Sequence, residues 1–287
     1  MKVFIVGVGL IGGSLALDIK DAFKNAIIYG IDNNDEHLTK AKELHIIDEI
    51  ATIEDDIDAD IVIVSIPVNT SLKVIPEILN NVSDNCLVMD VGSTKTQICK
   101  IIKNHPKRRN FLATHPIAGT EFSGPSAALK KLYNGKTNII CEVEKTAFKL
   151  QEKALEIFSK LGMRIRYMDA KSHDKHIAYV SHLSHISSFM LGKTVIEKEK
   201  NERDIFDMAG SGFASTVRLA KSSPEMWTPI FEQNKENVIE TLDEYIHNLK
   251  HFRELLKDNN FSEIHTEMKN TNHIKQILNG IQEVTLQ

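Results

Sequence analysis

The sequence has few cysteines, and no apolar run is long enough to span a membrane. Cys86, Cys99 and Cys141 are odd in number and lack the spacing of a disulfide framework or a metal site. No apolar run approaches the ~20 residues that a membrane span requires. The first strand-like run begins at Lys2, which leaves no room for a signal peptide. We therefore expect a cytoplasmic protein in a reducing setting, with no membrane partner.

The chain also lacks an excess of positive charge. Its 35 basic residues are set against 39 acidic ones, for a formal net charge of −4, so we expect no nucleic-acid partner. Hydrophobic residues make up 42% and charged residues 26%, which is typical of a globular protein, and 287 residues allow one large or two ordinary domains. The charge runs Glu54–Asp60 and Glu197–Asp204 are predicted to be solvated surface.

The first half of the chain alternates apolar runs with helical stretches. The runs are continuously apolar, as in parallel strands that helices cover on both faces: "KVFIV", "AIIYGI", "DIVIVSI", "CLVMDV", "NFLAT" and "TNIICEV". This order predicts an α/β fold with a Rossmann-type, doubly wound parallel sheet over residues 1–168.

The second half, residues 169–287, contains no strand-like run and is predicted to be all-helical. Three long helices are expected at Ser172–Lys200, Ser223–Asn259 and Ser262–Val284. The first is apolar on most of its circumference, which predicts burial among other helices. In the second, Ser223 is a plausible N-cap and Pro224 lies in the first turn.

A glycine fingerprint predicts a dinucleotide site near the N-terminus. Gly7, Gly9 and Gly12 follow the first strand and open a helix. Glycine at these positions permits the tight turn, the approach of a pyrophosphate and close helix packing, and the helix N-terminus supplies N–H donors to the phosphates. Asp32 ends the second strand, 20 residues beyond Gly12.

Asp32 predicts NAD rather than NADP. A carboxylate accepts hydrogen bonds from the ribose diol but repels a 2′-phosphate, and no arginine stands among Asn33, Asn34 and Asp35 to hold that phosphate. The predicted cofactor contacts are Gly7, Gly9, Leu10, Ile11, Gly12, Asp32, Ser65, Ile66, Pro67 and Ser93.

Three polar side chains follow apolar strand runs, so they are expected at the carboxyl edge of the sheet, where ligands bind: Ser65, Ser93 and His115. Ser65 precedes Pro67 and can simply satisfy a turn. Ser93 can cap a helix starting at Thr94, contact substrate, or do both. His115 is either a structural histidine or the base that accepts a hydroxyl proton beside a hydride carrier. In the second case activity should fall as pH drops through ~6.5.

Six motifs, in this order and spacing, resemble the prephenate dehydrogenase family: "GVGLIGGSLAL", "VSIPV", "DVGSTK", "THPIAGTEFSG", "SHLSHI" and "RLAKSSPEMW". The resemblance implies NAD-dependent oxidative decarboxylation of prephenate to 4-hydroxyphenylpyruvate, in tyrosine biosynthesis. By the same resemblance His115 and Ser93 act on the substrate hydroxyl, and the substrate contacts are Arg218, His185, Thr120, Glu121 and Trp227.

The resemblance extends to ligands and assembly. It implies tyrosine as a possible feedback ligand, a structural role for His182, and a homodimer formed through the helical, substrate-binding half. His182 and His185 lie on one helix face, but no third ligand has metal-site spacing, so no metal is expected. Neither a chorismate mutase bundle before the sheet nor a regulatory domain after the helices is recognisable, which predicts a monofunctional enzyme.

One segment departs from the family pattern. Where the family often has G-F-x-D-x-T-R, this chain has "GFASTVR", so Ser215 and Val217 replace an acid and a threonine before Arg218. The choice between prephenate and its amino analogue arogenate therefore stays open. A regulator that binds NAD without turnover is the alternative from another class. β-Hydroxyacid dehydrogenases and pyrroline-carboxylate reductases share the two-part plan but give no reason for "HPIAGTE".

Overall fold

The computed structural model describes residues 1–53, 58–200 and 204–279. Parts of three predicted segments lie outside these ranges: Glu54–Asp60, Glu197–Asp204 and the end of the Ser262–Val284 helix. No helix among the described residues is both long enough and apolar enough to span a membrane.

The described residues of the first half contain one mostly parallel sheet of eight strands, in the order β3-β2-β1-β4-β5-β6-β7-β8. The strands are β1 (Lys2–Val6), β2 (Ile27–Ile31), β3 (Glu49–Ile50), β4 (Ile61–Val64), β5 (Leu87–Asp90), β6 (Phe111–Pro116), β7 (Thr137–Cys141) and β8 (Arg164–Met168). The predicted α/β fold with a Rossmann-type sheet and a helical second half is confirmed, and all six predicted runs form strands.

One strand runs against the predicted direction. β7 pairs antiparallel with β6, opposing Ile139 to His115. A parallel return needs a crossover, usually a helix. The connection between these strands contains only the short 3₁₀ turn Pro125–Ala127, so the chain comes back alongside β6 in reverse.

Helices cover both faces of the sheet and bury an apolar layer on each. Ile5, Leu15 and Ile63 belong to the layer on one face, and Val62 and Ile75 belong to the layer on the other. These helices are α1 (Leu10–Ala22), α2 (Asp35–Glu43), α3 (Val68–Asn81), α4 (Thr96–Ile101) and α5 (Phe148–Lys160).

The second half is helical and more broken than predicted. Its helices are α6 (Ala170–Ile177), α7 (Leu183–Glu199), α8 (Ser211–Val217), α9 (Pro224–Gln233), α10 (Lys235–Lys257) and α11 (Phe261–Thr271). A π-helical turn, Ala178–His182, interrupts the predicted first helix, and Asn234 separates α9 from α10 in the predicted second helix. The N-cap prediction is confirmed, because the Ser223 hydroxyl accepts from the Met226 N–H at 3.3 Å.

The expected burial of the first long helix holds for its first part, where Ile177 and Ala178 are buried, and is wrong for α7 in this chain alone. Ser188 is the one buried residue of α7, whereas Met190 and Ile196 are each more than half exposed. The helix is apolar around its circumference, but the described part of the chain packs against little of it.

The two halves are joined directly beside the sheet edge. Gln233, at the end of α9, donates to the Asn69 amide oxygen at 2.7 Å and accepts from the Thr94 hydroxyl at 2.7 Å. Asn69 donates in turn to Glu232 at 2.6 Å. The second half is thereby fixed to α3 and to the loop that carries Ser93.

Candidate active site

Protein atoms lie close against Gly7 and Gly12 of the glycine turn, whereas Gly9 faces open space. A Cβ on Gly7, where φ is +92°, would lie 2.3 Å from the Ser65 carbonyl oxygen, and one on Gly12 would lie 2.1 Å from the Gly7 carbonyl oxygen. On Gly9 the nearest described atom would be the Gly124 nitrogen, 4.0 Å away. Gly9 precedes α1, whose first turn carries no acidic residue and no side-chain cap from the described residues. These uncapped N–H groups beside open space fit a pyrophosphate.

Asp32 lies at the end of β2 with its carboxylate against this turn. It accepts from the Val8 N–H at 3.1 Å and from the Asn34 N–H at 3.0 Å, and His37 Nδ1 lies 3.7 Å away. The side chain is only 10% exposed, so its charge is poorly screened. The donor set and the acid fit the dinucleotide that the sequence predicts.

The remaining predicted cofactor residues surround the turn. Leu10 is buried, Ile11 is half-buried beneath Gly119, and the Ser65–Pro67 segment leads from β4 into α3. The loop after β6 lies on the glycine turn through Gly119 and Gly124, which connects the strand of His115 to the cofactor side of the sheet.

His115 is buried near the end of β6, with an exposure of 8%. Its Nδ1 lies 2.8 Å from Nε2 of His173, and Nδ1 of His173 lies 2.8 Å from Asp174. No described residue hydrogen-bonds to Nε2 of His115. The ring therefore has one nitrogen engaged with the protein and the other available to a ligand.

Burial is the main electrostatic influence on this group. It lowers the pKa of His115 well below 6.5, and the nearby His173, Lys95 and His182 lower that pKa further. Burial opposes ionisation of Asp174, yet hydrogen bonds from His173, Thr96 and Lys95 hold the pKa of that carboxyl below its usual value. The neutral form of His115, which can accept a proton, is thus the stable one.

Ser93 does not cap the helix as the sequence suggested. α4 begins at Thr96, and its first N–H groups, on Lys95 and Thr96, donate to Asp174 at 2.8 Å each. The carboxylate of α6 has taken the capping role, which leaves Ser93 half-buried in the loop before α4. Capping is therefore not the role of Ser93, and its contact with substrate or cofactor stays a prediction.

A buried ion pair lies beneath this loop. Lys95 has no exposed surface and contacts Asp90 at the end of β5, and it also donates to the Thr114 carbonyl at 2.7 Å. Its ammonium group thus fixes the strand end immediately before His115.

Aromatic rings pack around Trp227 in the helical half. The rings of His185 and Trp227 stack with centroids 3.6 Å apart, and His182 meets Trp227 edge-on at 5.8 Å. His182 accepts from the Asn234 amide at 3.2 Å, and burial lowers its pKa to about 4. His185 donates through Nδ1 to the Ser181 carbonyl at 2.9 Å.

Arg218 and Glu121 form an ion pair between the helical half and the loop after β6. Their side chains are paired at 3.3 Å, with the arginine half exposed and the glutamate 18% exposed. Arg218 is close enough to His185 to help burial lower the pKa of that ring. Thr120 is half-buried next to Glu121, and its hydroxyl accepts from the Phe122 N–H at 3.3 Å.

Three site residues were missing from the sequence-based prediction: His173, Asp174 and Lys95. Asp174 touches both His173 and the α4 N-terminus, and Lys95 underlies the His115 strand. The sequence offered one signal in this region, because His173 and Ile177 are four residues apart and so lie on one helix face. The structure buries both residues.

The fold and the site around His115 together define a class of enzyme. A Rossmann-type sheet with an open glycine turn, and a neutral buried histidine at its carboxyl edge, is the framework of a nucleotide-dependent dehydrogenase.

Comparison with known proteins narrows the class to a family. The model of the prephenate dehydrogenase nucleotide-binding domain matches residues 15–167, and that of the prephenate dehydrogenase dimerization domain matches residues 169–270. The chain belongs to the prephenate dehydrogenase family.

Individual relatives agree with this assignment. Prephenate dehydrogenase of Bacillus subtilis (strain 168) is 31% identical over 255 residues, covering 88% of this chain and 69% of that protein. The Aquifex aeolicus prephenate dehydrogenase crystallised with hydroxyphenyl propionate and NAD⁺ is 34% identical, with a TM-score of 0.90 over 97% of this chain and 98% of that one. Synechocystis arogenate dehydrogenase is 25% identical, with a TM-score of 0.75 over 97% and 100% of the two chains.

Proposed function

We propose that this protein is an NAD⁺-dependent dehydrogenase that converts prephenate to 4-hydroxyphenylpyruvate and CO₂. The observation that carries the proposal is His115: neutral, buried, and with Nε2 free of any described partner, at the carboxyl edge of the sheet. Family membership and the NAD⁺ complex of the Aquifex relative support the cofactor and the substrate class.

The residues divide the chemistry between them. NAD⁺ supplies the hydride acceptor when bound, held by the α1 N-terminus, the Ser65–Pro67 segment and Asp32. His115 accepts the proton of the C4 hydroxyl through Nε2 while Ser93 helps to hold the same oxygen. Loss of CO₂ then makes the ring aromatic, so the protein mainly aligns the substrate and manages one proton.

The charge of Arg218 and the stacked rings of His185 and Trp227 fit a dicarboxylate substrate. The planar guanidinium of Arg218 can hold a carboxylate with two hydrogen bonds once it exchanges Glu121 for the substrate. His185, against Trp227, offers Nε2 to the rest of the substrate, because its Nδ1 is used by Ser181. Thr120 and Glu121 complete this side of the pocket.

Arogenate is the second candidate substrate. It differs from prephenate in carrying an amino group in place of the side-chain keto group, and an arogenate dehydrogenase is among the similar structures. Ser215, which stands where the family often has an acid, is exposed on α8, so no carboxylate from that position is available to an ammonium group.

The test is a rate measurement with both substrates and both cofactors. Purified protein is mixed with prephenate or arogenate and with NAD⁺ or NADP⁺, reduced cofactor is followed by absorbance, and products are identified by mass spectrometry. We expect NADH, 4-hydroxyphenylpyruvate and CO₂ from prephenate. Folded protein that binds NAD⁺ but forms no NADH with either substrate would favour the non-catalytic regulator instead.

Assembly and setting complete the proposal. We propose a homodimer that forms through the helical half (residues 169–287, after a 1–168 NAD-binding domain) in the cytoplasm, with tyrosine as a feedback ligand. Apolar side chains left exposed on this half support the dimer: Met190, Ile196, Leu249, Phe261 and Met268. Light scattering coupled to gel filtration tests the mass, and tyrosine titration of the rate tests the feedback.

A further inference from the structure

A line of three buried side chains crosses from the sheet into the helical half. His115 belongs to β6, and His173 and Asp174 belong to α6; their exposures are 8%, 1% and 1%. Both links of the line measure 2.8 Å. The main chain of Asp174 is held as well, since its carbonyl accepts from the Asn234 amide at 2.7 Å.

The partners of Asp174 determine which atoms carry protons. Backbone N–H groups of Lys95 and Thr96 can only donate, and they point at different oxygens of this carboxylate. Both oxygens therefore accept, and this set of donors favours the ionised acid. His173 then carries its proton on Nδ1 and donates it to Asp174, so Nε2 of His173 is an acceptor.

The same logic passes to His115. Because Nε2 of His173 accepts, Nδ1 of His115 donates to it, and the lone pair of His115 is left on Nε2. This is the tautomer that can take a proton from a substrate hydroxyl. In the opposite tautomer, Nε2 would carry a hydrogen and could not act as a base.

The charged groups around these three side chains favour a positive charge on His173 over one on His115. Lys95 and His182 are the cationic and titratable groups that face His115 from the α4 loop and the π-helical turn, and the charge of Asp90 on β5 is engaged by Lys95. An imidazolium at His115 would thus be close to an ammonium group. An imidazolium at His173 would lie directly against the Asp174 carboxylate.

We propose that His173 and Asp174 are positioning residues that hold His115 in its proton-accepting tautomer and take up the charge formed during turnover. As the substrate O–H bond breaks, its proton binds Nε2 of His115. The Nδ1 proton of His115 moves to Nε2 of His173, while the Nδ1 proton of His173 stays bonded to Asp174. One proton enters the line, and the same steps in reverse return it to the product oxygen when loss of CO₂ makes the ring aromatic.

The tautomers can be measured without any substrate. Nitrogen-15 NMR of the full-length protein with labelled histidine distinguishes protonated from unprotonated ring nitrogens. His115→Asn and His173→Gln assign the two signals by loss. We expect both rings to be neutral and protonated on Nδ1 near neutral pH. A wild-type His115 protonated on Nε2 would overturn the proposal.

The kinetic test of these positioning residues rests on the proposed function and uses three variants and a control. His173→Gln keeps an acceptor for His115 Nδ1, His173→Leu removes it, and Asp174→Asn removes the charge. The control is His176→Gln, an exposed histidine on the same helix. We expect kcat to fall by roughly tenfold to a hundredfold for Leu and for Asn, the scale of residues that orient a functional histidine. The Gln variant should lose less.

Two further readouts separate positioning from general damage. NAD⁺ affinity should stay within about twofold of wild type, because no residue of the line touches the glycine turn. The acid limb of the pH–rate profile should move to lower pH in Asp174→Asn, since loss of the carboxylate disfavours the protonated pair, with a shift of about one unit. Equal kcat values in the His173→Gln and His173→Leu variants, or an acid limb that does not move in Asp174→Asn, would overturn the proposed role of His173 and Asp174. Lack of turnover by wild type with either substrate would refute the proposed function alone, and the NMR result would still decide the tautomers.

Discussion

Replacing Asp32 by asparagine should shift cofactor use from NAD⁺ toward NADP⁺. The carboxylate accepts hydrogen bonds from Val8 and Asn34 at 3.1 and 3.0 Å. Asparagine has nearly the same shape, but the two donors bind different carboxylate oxygens and it offers only one, so one of these hydrogen bonds is lost while the other helps to hold the turn. The larger loss is that of a negative charge whose side chain is only 10% exposed.

The size of the effect follows from that burial. Two unit charges about 4 Å apart interact by about 4 kcal/mol at an effective dielectric constant of about 20. A 2′-phosphate next to Asp32 would feel repulsion of at least this order, and 1.4 kcal/mol corresponds to a factor of ten. Hydrogen bonds from the ribose diol to a charged acceptor contribute about 1.5–3 kcal/mol each, and they weaken in the variant. Together these effects should raise the ratio of kcat/KM for NADP⁺ over NAD⁺ by about 10²-fold or more.

The assay is steady-state rate against each cofactor at saturating substrate, for wild type and Asp32→Asn. Asp35→Asn is the matched control, because it removes an equal charge from an exposed position at the start of α2. Thermal melting of each variant shows whether the turn is intact. A folded Asp32→Asn enzyme with an unchanged cofactor ratio would refute the role of the carboxylate in selecting NAD⁺.

Four other outcomes are expected. His115→Asn should lower kcat by about 10²–10⁴ with NAD⁺ affinity unchanged, and a near-normal kcat would remove the ring from the chemistry. The acid limb of kcat/KM should lie well below pH 6.5, because burial lowers the pKa of His115 and keeps the ring unprotonated as pH falls; a limb at 6.5 or above contradicts this. Arg218→Lys should raise substrate KM roughly tenfold with little change in kcat, since the two-bond grip on a carboxylate is lost, whereas equal KM values would exclude that grip. Tyr133→Phe should cost about 1–3 kcal/mol in urea unfolding, because the Ile11 carbonyl loses a buried donor at 2.7 Å; no change in the midpoint would show that another donor replaces it.

The sheet was predictable where burial on two faces leaves a continuous apolar run. β1, β4 and β5 are buried along their whole length or nearly so, and all three were recognisable. β8 was missed because it is an edge strand with exposed Arg164 and Arg166, which lack that signature. The direction of β7 depends on the connection that precedes it, and strand composition does not encode direction.

The site was predictable where a local motif carries the chemistry. The glycine turn, Asp32 and His115 each stand out within a few residues of a strand end. His173 and Asp174 do not, because 58 positions separate His173 from His115 and a polar pair early in a helix ordinarily faces water. The capping of α4 by Asp174 was hidden for the same reason, and Ser93 was the nearer candidate in sequence.

The bridge centred on Gln233 holds the two halves of the protein together. Separating the two halves would break the three side-chain hydrogen bonds of this bridge, together with those that join Asp174 to the α4 N-terminus and His173 to His115, and would expose Trp227 and Ile230, which pack on Val68. Swinging the half-exposed Arg218 off Glu121 breaks a single contact at the surface. We therefore expect the Arg218–Glu121 pair to open more readily than the rest of the contact between the two halves, which favours a ligand path at this pair.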